Sequence, residues 1–243
     1  MNLRKLCLLM SVYMVSSSTI FFDSMVFAQQ DRFESGLASK DRGHYATALR
    51  AWLPMAEAGN AEAQNNVGYM YEEGLGVPQN YLLAMNWYRQ AADNGLAEAQ
   101  HNMGMLYHLG YGVAENMGEA FRWFKMAADQ ELAESEYMLG LAFENGEGTE
   151  LDYAEAKRLF LSAARKNYVP AQLMYAFMLQ AGEGGDSEPF SAYVWGKIAE
   201  LNGSAAAIDV TTLSTVQLED EEIIEAEEVV ATCRANDLAG CPE

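Results

Sequence analysis

From residue 61 the chain repeats itself every 36 residues, and that period limits what it can fold into more than any other feature. Segments 61–96, 97–132, 133–168 and 169–204 align without a gap. The first two are near copies, AEAQNNVGYMYEEGLGVPQNYLLAMNWYRQAADNGL and AEAQHNMGMLYHLGYGVAENMGEAFRWFKMAADQEL. The third has drifted and the fourth has drifted further. A unit this short cannot bury an apolar face alone, so stacked copies must supply one another's core.

The columns of the alignment describe a helical hairpin. Small residues at Gly68, Gly104, Gly140 and Ala176 mark where a neighbouring helix comes close on the first helix, helix A. Three residues later, Tyr71, Tyr107, Phe143 and Leu179 fall on a core-directed stripe. Gly74, Gly110, Gly146 and Gly182 follow as left-handed stops, with a second glycine two positions on. Asn80, Asn116 and Asp152 are N-caps for helix B, and Glu188 is a poorer one. Helix B carries a stripe such as Ala120, Trp123, Phe124 and Ala127; the fourth copy keeps Trp195 but has Gly196 at the aromatic position. The closing turns use Gly95, Glu131, Asn167 and Gly203, of which Glu131 adopts a left-handed conformation only at a cost.

These residues resemble the Sel-1-like repeat, a relative of the tetratricopeptide repeat. Its motif of A-x-A, LG-x-x-Y-x-x-G-x-GV, a polar cap and A-x-x-W-x-x-x-AA runs over 61–204. The resemblance implies an all-α, right-handed α-solenoid of antiparallel helix pairs, about eleven helices in all. Residues 29–60 read as a shortened leading hairpin with Tyr45, Ala48, Trp52 and Ala56. Residues 205–243 read as an acidic helical cap: a short helix near 205–213, then one opened by a Ser214–Gln217 capping box and running to about Ala235, with Ile223, Ile224 and Val230 facing the core.

Residues 1–28 have the layout of a secretory signal peptide. Arg4 and Lys5 precede an apolar stretch from Leu6 to Phe22, and Val26-Phe27-Ala28 sets cleavage before Gln29. An uncleaved anchor is the other reading, although the stretch is short and interrupted by Ser16 to Thr19. Export to the periplasm or the exterior makes a disulfide between Cys233 and Cys241 tenable. Eight residues of helix would part them by about 12 Å, beyond the usual Cα reach of about 4.4–6.8 Å. A bridge therefore requires the helix to end between them, where Asn236, Asp237 and Gly240 offer turn chemistry.

Charge narrows the partners. The formal charge is −20, which excludes phosphate-tracking on nucleic acid and disfavours anionic membranes. Each repeat copy carries −3 and the tail −9. A charge-assisted partner is expected to be a basic protein or peptide.

Catalytic signals are weak. The Gly-rich loops follow helices and recur once per copy, so turn formation explains them. No serine, cysteine or histidine motif of a hydrolase occurs. His101 and His108 are too far apart along one helix to bind one metal by themselves. Glu72 makes a metal site conceivable, but solvated surface histidines are the expectation, with no metal or cofactor. Cysteine-rich relatives have been linked to β-lactam hydrolysis through paired cysteines that these repeats lack, so that activity is not carried over.

By analogy with the tetratricopeptide groove, the outward face of helix A is the candidate binding surface. It comprises Glu62, Asn65, Tyr69 and Glu72; Glu98, His101, Met105 and His108; Glu134, Tyr137 and Leu141; and Leu173 and Phe177. The alternative for Leu141, Leu173 and Phe177 is burial beneath the cap. The resulting expectation is a monomeric, non-catalytic scaffold in envelope signalling or host contact. A hydrolase of β-lactam or cell-wall substrates and a structural envelope component are the other classes.

Overall fold

A computed structural model of the chain describes residues 29–238 and 240–242; the signal-peptide reading of 1–28 lies outside them. The described residues form helices joined by turns, in two compact units that divide between Asn94 and Gly95.

The first unit contains helix α1 over residues 29–41, α2 (Tyr45–Glu57), α3 (Ala61–Glu73) and α4 (Tyr81–Asp93). The leading hairpin closes on Trp52, whose ring is fully buried and whose Nε1 donates to Phe33 O at 3.2 Å. Gly36 is small because that indole lies against it. Ala48 and Ala56 are buried beside it, as their spacing predicts.

The second unit contains α5 (Ala97–Leu109), α6 (Met117–Ala128), α7 (Ala133–Asn145), α8 (Tyr153–Arg165), α9 (Val169–Ala181) and α10 (Pro189–Leu201). Two further helices, α11 (Ala207–Thr215) and α12 (Asp220–Ala235), complete it. Each A helix packs on its own B helix, and α6 and α8 pack on the A helix that follows. This is the helix-pair stacking of an α-solenoid.

Local chemistry sets the helix ends. Gly74, Gly110, Gly146 and Gly182 all sit near φ +70° and stop the A helices. The side chains of Asn80, Asn116 and Asp152 each accept from the backbone N–H three residues on, at 3.0 Å. Glu188 does not cap α10; its carboxylate meets Lys157 at 2.9 Å instead. The small residue of helix A receives the helix-B ring. A Cβ on Gly68 would lie 2.8 Å from Tyr88, and on Gly104 or Gly140 it would lie 2.5 Å from Phe124 or Phe160.

A buried polar column at Gln64, Gln100, Glu136 and Gln172 has no counterpart among the expected features. Gln64 Nε2 donates to Ala56 O at 3.0 Å and its Oε1 accepts from Asn94. Gln172 does the same with Ala164 O and Asn202. In the third copy the pair is ionic: Lys166 Nζ meets Glu136 Oε1 at 2.7 Å.

The tail differs from expectation in two details. Ser214 lies inside α11 and opens no helix; its buried hydroxyl contacts Gln180 Oε1 at 2.6 Å and Val210 O at 3.0 Å. Glu219 is the N-cap of α12, and its N–H donates to Glu222 Oε2. The core face of α12 is Ala226, Val230 and Cys233 with half-buried Ile223, while Ile224 is 63% exposed. α12 ends at Ala235, and Asp237 and Leu238 turn the chain at positive φ. Cys233 and Cys241 are thereby bridged, with Cα atoms 5.3 Å apart.

Candidate functional site

Helices α3, α5, α7 and α9 place the expected surface residues differently. On α3, Glu62 is exposed, Asn65 half-buried and Tyr69 40% exposed. Glu72 accepts from the Tyr88 hydroxyl at 2.5 Å. Burial pushes the Glu72 carboxyl above its ordinary range, the Tyr88 hydrogen bond lowers it, and Glu73 raises it again. Burial and Glu72 push the Tyr88 phenol far up, so it remains a neutral donor.

On α5, Glu98 is exposed while His101, Met105 and His108 are half-buried. His101 is not the solvated histidine expected from its helical position. Its ring packs 5.4 Å from that of Phe124, and Nδ1 lies 2.8 Å from Ser135 Oγ. Burial lowers its pKa, and Glu134 partly offsets this. Ser135 is fully buried, so this Ser–His pair faces the core rather than solvent. His108 lies 6.5 Å from Phe124. Among the described residues no group of three or more His, Cys, Asp or Glu side chains is placed to hold a metal ion.

On α7, Glu134 is exposed, but Tyr137 packs between Phe160 at 5.7 Å and Tyr168 at 5.4 Å. Tyr137, Leu141, Leu173 and Phe177 are half-buried against the same core cluster, so each serves packing as well as surface. The cap reaches the end of α9 through the Ser214–Gln180 contact.

A cavity of about 270 Å³ opens between α5, α6 and α7, lined by His108, Phe121, Phe124, Met138 and Leu141 among others. A cleft of about 430 Å³ elsewhere in the unit gathers Arg165, Lys166 and Arg234 with Asn167 and Asn202. The charge count per copy conceals a division within each copy. Residues 61–80, 97–116, 133–152 and 169–188, which hold the A helices and their loops, contain no Lys or Arg. The B halves carry every cation of the repeats, and the pattern is legible once each copy is halved.

The Sel1 repeat profile matches residues 61–96, 97–132, 133–168 and 169–204. A solved Sel1 repeat protein from Oxalobacter formigenes is 31% identical over 72% of each chain, with a TM-score of 0.67. A protective antigen of uropathogenic Escherichia coli with an SLR fold, c5321, matches 93% of this chain and 53% of its own. It is 23% identical with a TM-score of 0.68, so it speaks to fold alone, and this chain spans about half its length. No curated protein matches the chain.

Proposed function

Because the chain belongs to the Sel1 repeat family, whose members generally serve as protein-interaction scaffolds, we propose that it is an exported, non-catalytic adaptor that binds another protein through the outward face of its A helices. One observation carries the reading. Tyr69, Met105, Leu141 and Phe177 occupy the same position in each copy, all are large and apolar, and each remains at least partly exposed. Met105, Leu141 and Phe177 also pack against the core, so the recurrence of the column in every copy and the open ring of Tyr69 are what favour a partner surface. Export is supported by the layout of residues 1–28 and by the Cys233–Cys241 bridge, which persists in an oxidising compartment. A place in envelope signalling or host contact is the role that this reading proposes for it.

The test is a photo-crosslinking residue at position 69, with Gln90 on helix B as the control site. The expected result is one protein captured repeatedly from the native compartment through position 69, and lost on adding excess unlabelled parent chain but not on adding the Tyr69→Ala chain. Equal capture from both positions defeats the proposal. Tyr69 is the better probe because Tyr137→Ala would also remove ring contacts from the core.

A further inference from the structure

The division of charge and the apolar cavity lie on the same part of the second unit. Segments 97–116, 133–152 and 169–188 hold eleven Asp and Glu and no Lys or Arg. The B halves are internally matched, with Arg122 on Glu119, Lys125 on Asp129, Arg158 on Glu155 and Lys197 on Glu200. Lys166 and Lys157 reach across to Glu136 and Glu188. The cavity between α5, α6 and α7 is bordered by Asn145 and Glu147 as well as by its apolar wall. Glu144 is the neighbour of Asn145 on α7, and burial together with Glu183 pushes its carboxyl up, a penalty that an incoming cation relieves.

We infer that this face takes a cationic peptide segment of the partner, with one apolar side chain seated in the α5–α6–α7 cavity and Lys or Arg residues beside it on Glu144, Glu147 and Glu183. This rests on the protein-binding reading above and names the chemistry of the partner. About 270 Å³ holds several waters at about 30 Å³ each, and an aliphatic or aromatic anchor entering such an apolar cavity releases them. The flanking acids then supply the steering and selectivity that a bare apolar hole lacks. A second copy of this chain would bring acid to acid here. The cationic cleft at Arg165, Lys166 and Arg234 makes self-association a distinct outcome to look for.

The probe is a fluorescein-labelled dodecapeptide alternating Lys and Leu, read by fluorescence polarisation against the full chain. Companion peptides replace Lys by Glu, or Leu by Ser. The Lys/Leu peptide binds, weakens about tenfold between 50 and 300 mM NaCl, and exceeds the Ser companion about fivefold or more; the Glu companion does not bind. Glu144→Gln with Glu147→Gln weakens it severalfold, as does Met138→Trp, which fills the cavity. Leu141→Gln, at a half-exposed position, serves if Met138→Trp fails to fold. Glu221→Gln with Glu225→Gln removes the same charge from the cap and leaves binding unchanged.

Equal weakening by the cap changes, or indifference to Leu→Ser, overturns the inference, as does concentration-dependent self-association that excludes the peptide. Capture at position 69 of a partner indifferent to Glu144, Glu147 and Met138 overturns it while leaving the adaptor reading intact. Peptide binding with no capture at position 69 does the reverse.

Discussion

In the third copy Gly140 leaves room for the ring of Phe160, which is fully buried. In the fourth copy Ala176 stands at the first position and Gly196 at the second, so the exchange of bulk is reversed. The space over Gly196 belongs to α11, whose Thr211 and Val210 side chains approach within 3.0 and 3.5 Å of a Cβ placed there. Trp195, the neighbouring position, is fully buried, stacked edge-on against Tyr175 at 5.6 Å and bonded through Nε1 to Pro242 O. In the second copy the equivalent Trp123 is only half-buried. An internal copy settles its hairpin with a ring across the A–B seam. The last copy gives up that ring so that the cap can sit where the next hairpin would be.

The contrast breaks most visibly at its two glycines. Gly140→Val drives a branched side chain into a closed ring contact and should cost about 3 kcal/mol in chemical denaturation, at the upper end for overpacking. Gly196→Leu should displace α11 rather than unfold the hairpin. Limited proteolysis would then cut within residues 205–219 well before the repeats. If Gly196→Leu leaves the cap protected, the reversed exchange is not what seats it.

The bridge fixes the same cap from its far end. Closing an eight-residue separation removes enough unfolded-chain freedom to contribute about 2.5 kcal/mol. Cys241→Ser should lower stability by about that amount and loosen the segment that brings Pro242 O to Trp195. Tryptophan emission should shift red in this variant, and an unshifted spectrum would separate the bridge from the seating of Trp195.

Sequence period made the helix pairs, their glycine stops and three of the four N-caps legible, because each depends on residues within one turn. What escaped depends on contacts between copies. Ser214-x-x-Gln217 and Glu219-x-x-Glu222 both fit a capping box locally, and serine is the better cap. Gln180 and Val210 nevertheless draw Ser214 into α11, so the poorer cap opens α12. The Gln64 column escaped because a polar residue beside a helix start reads as surface until the preceding hairpin supplies its carbonyl. The candidate face was readable by position but not by exposure: Tyr69 is open, whereas Tyr137 belongs largely to the core.

The contact between copies two and three is expected to respond to pH. His101 has a folded-state pKa below its ordinary value because it is buried. The unfolded chain therefore binds the proton more readily, and stability is lost as pH falls below about 6.5. Glu144, raised in the folded state, favours folding at acid pH and opposes this trend in the carboxylate range. His101→Gln keeps a partner for Ser135 and removes the titration. Denaturation midpoints between pH 7.5 and 6 should fall for the parent chain and stay nearly level for the variant.

The smallest effect concerns the closing turns, where the copies again differ. Gly95 and Gly203 close the first and fourth copies at φ +87° and +100°, while Glu131 and Asn167 close the second and third at +65° and +63°. Asparagine tolerates that region and glutamate does not, so Glu131 holds about 1 kcal/mol of backbone strain. Its carbonyl is fixed there because Lys166 Nζ donates to it at 2.8 Å while also pairing with Glu136. Glu131→Gly preserves that carbonyl and relieves the strain, but gives the unfolded chain more freedom. The net gain should be about 0.5 kcal/mol. Asn167→Gly should gain less, and a loss of stability in Glu131→Gly would mean that its side chain, not its carbonyl, holds the turn.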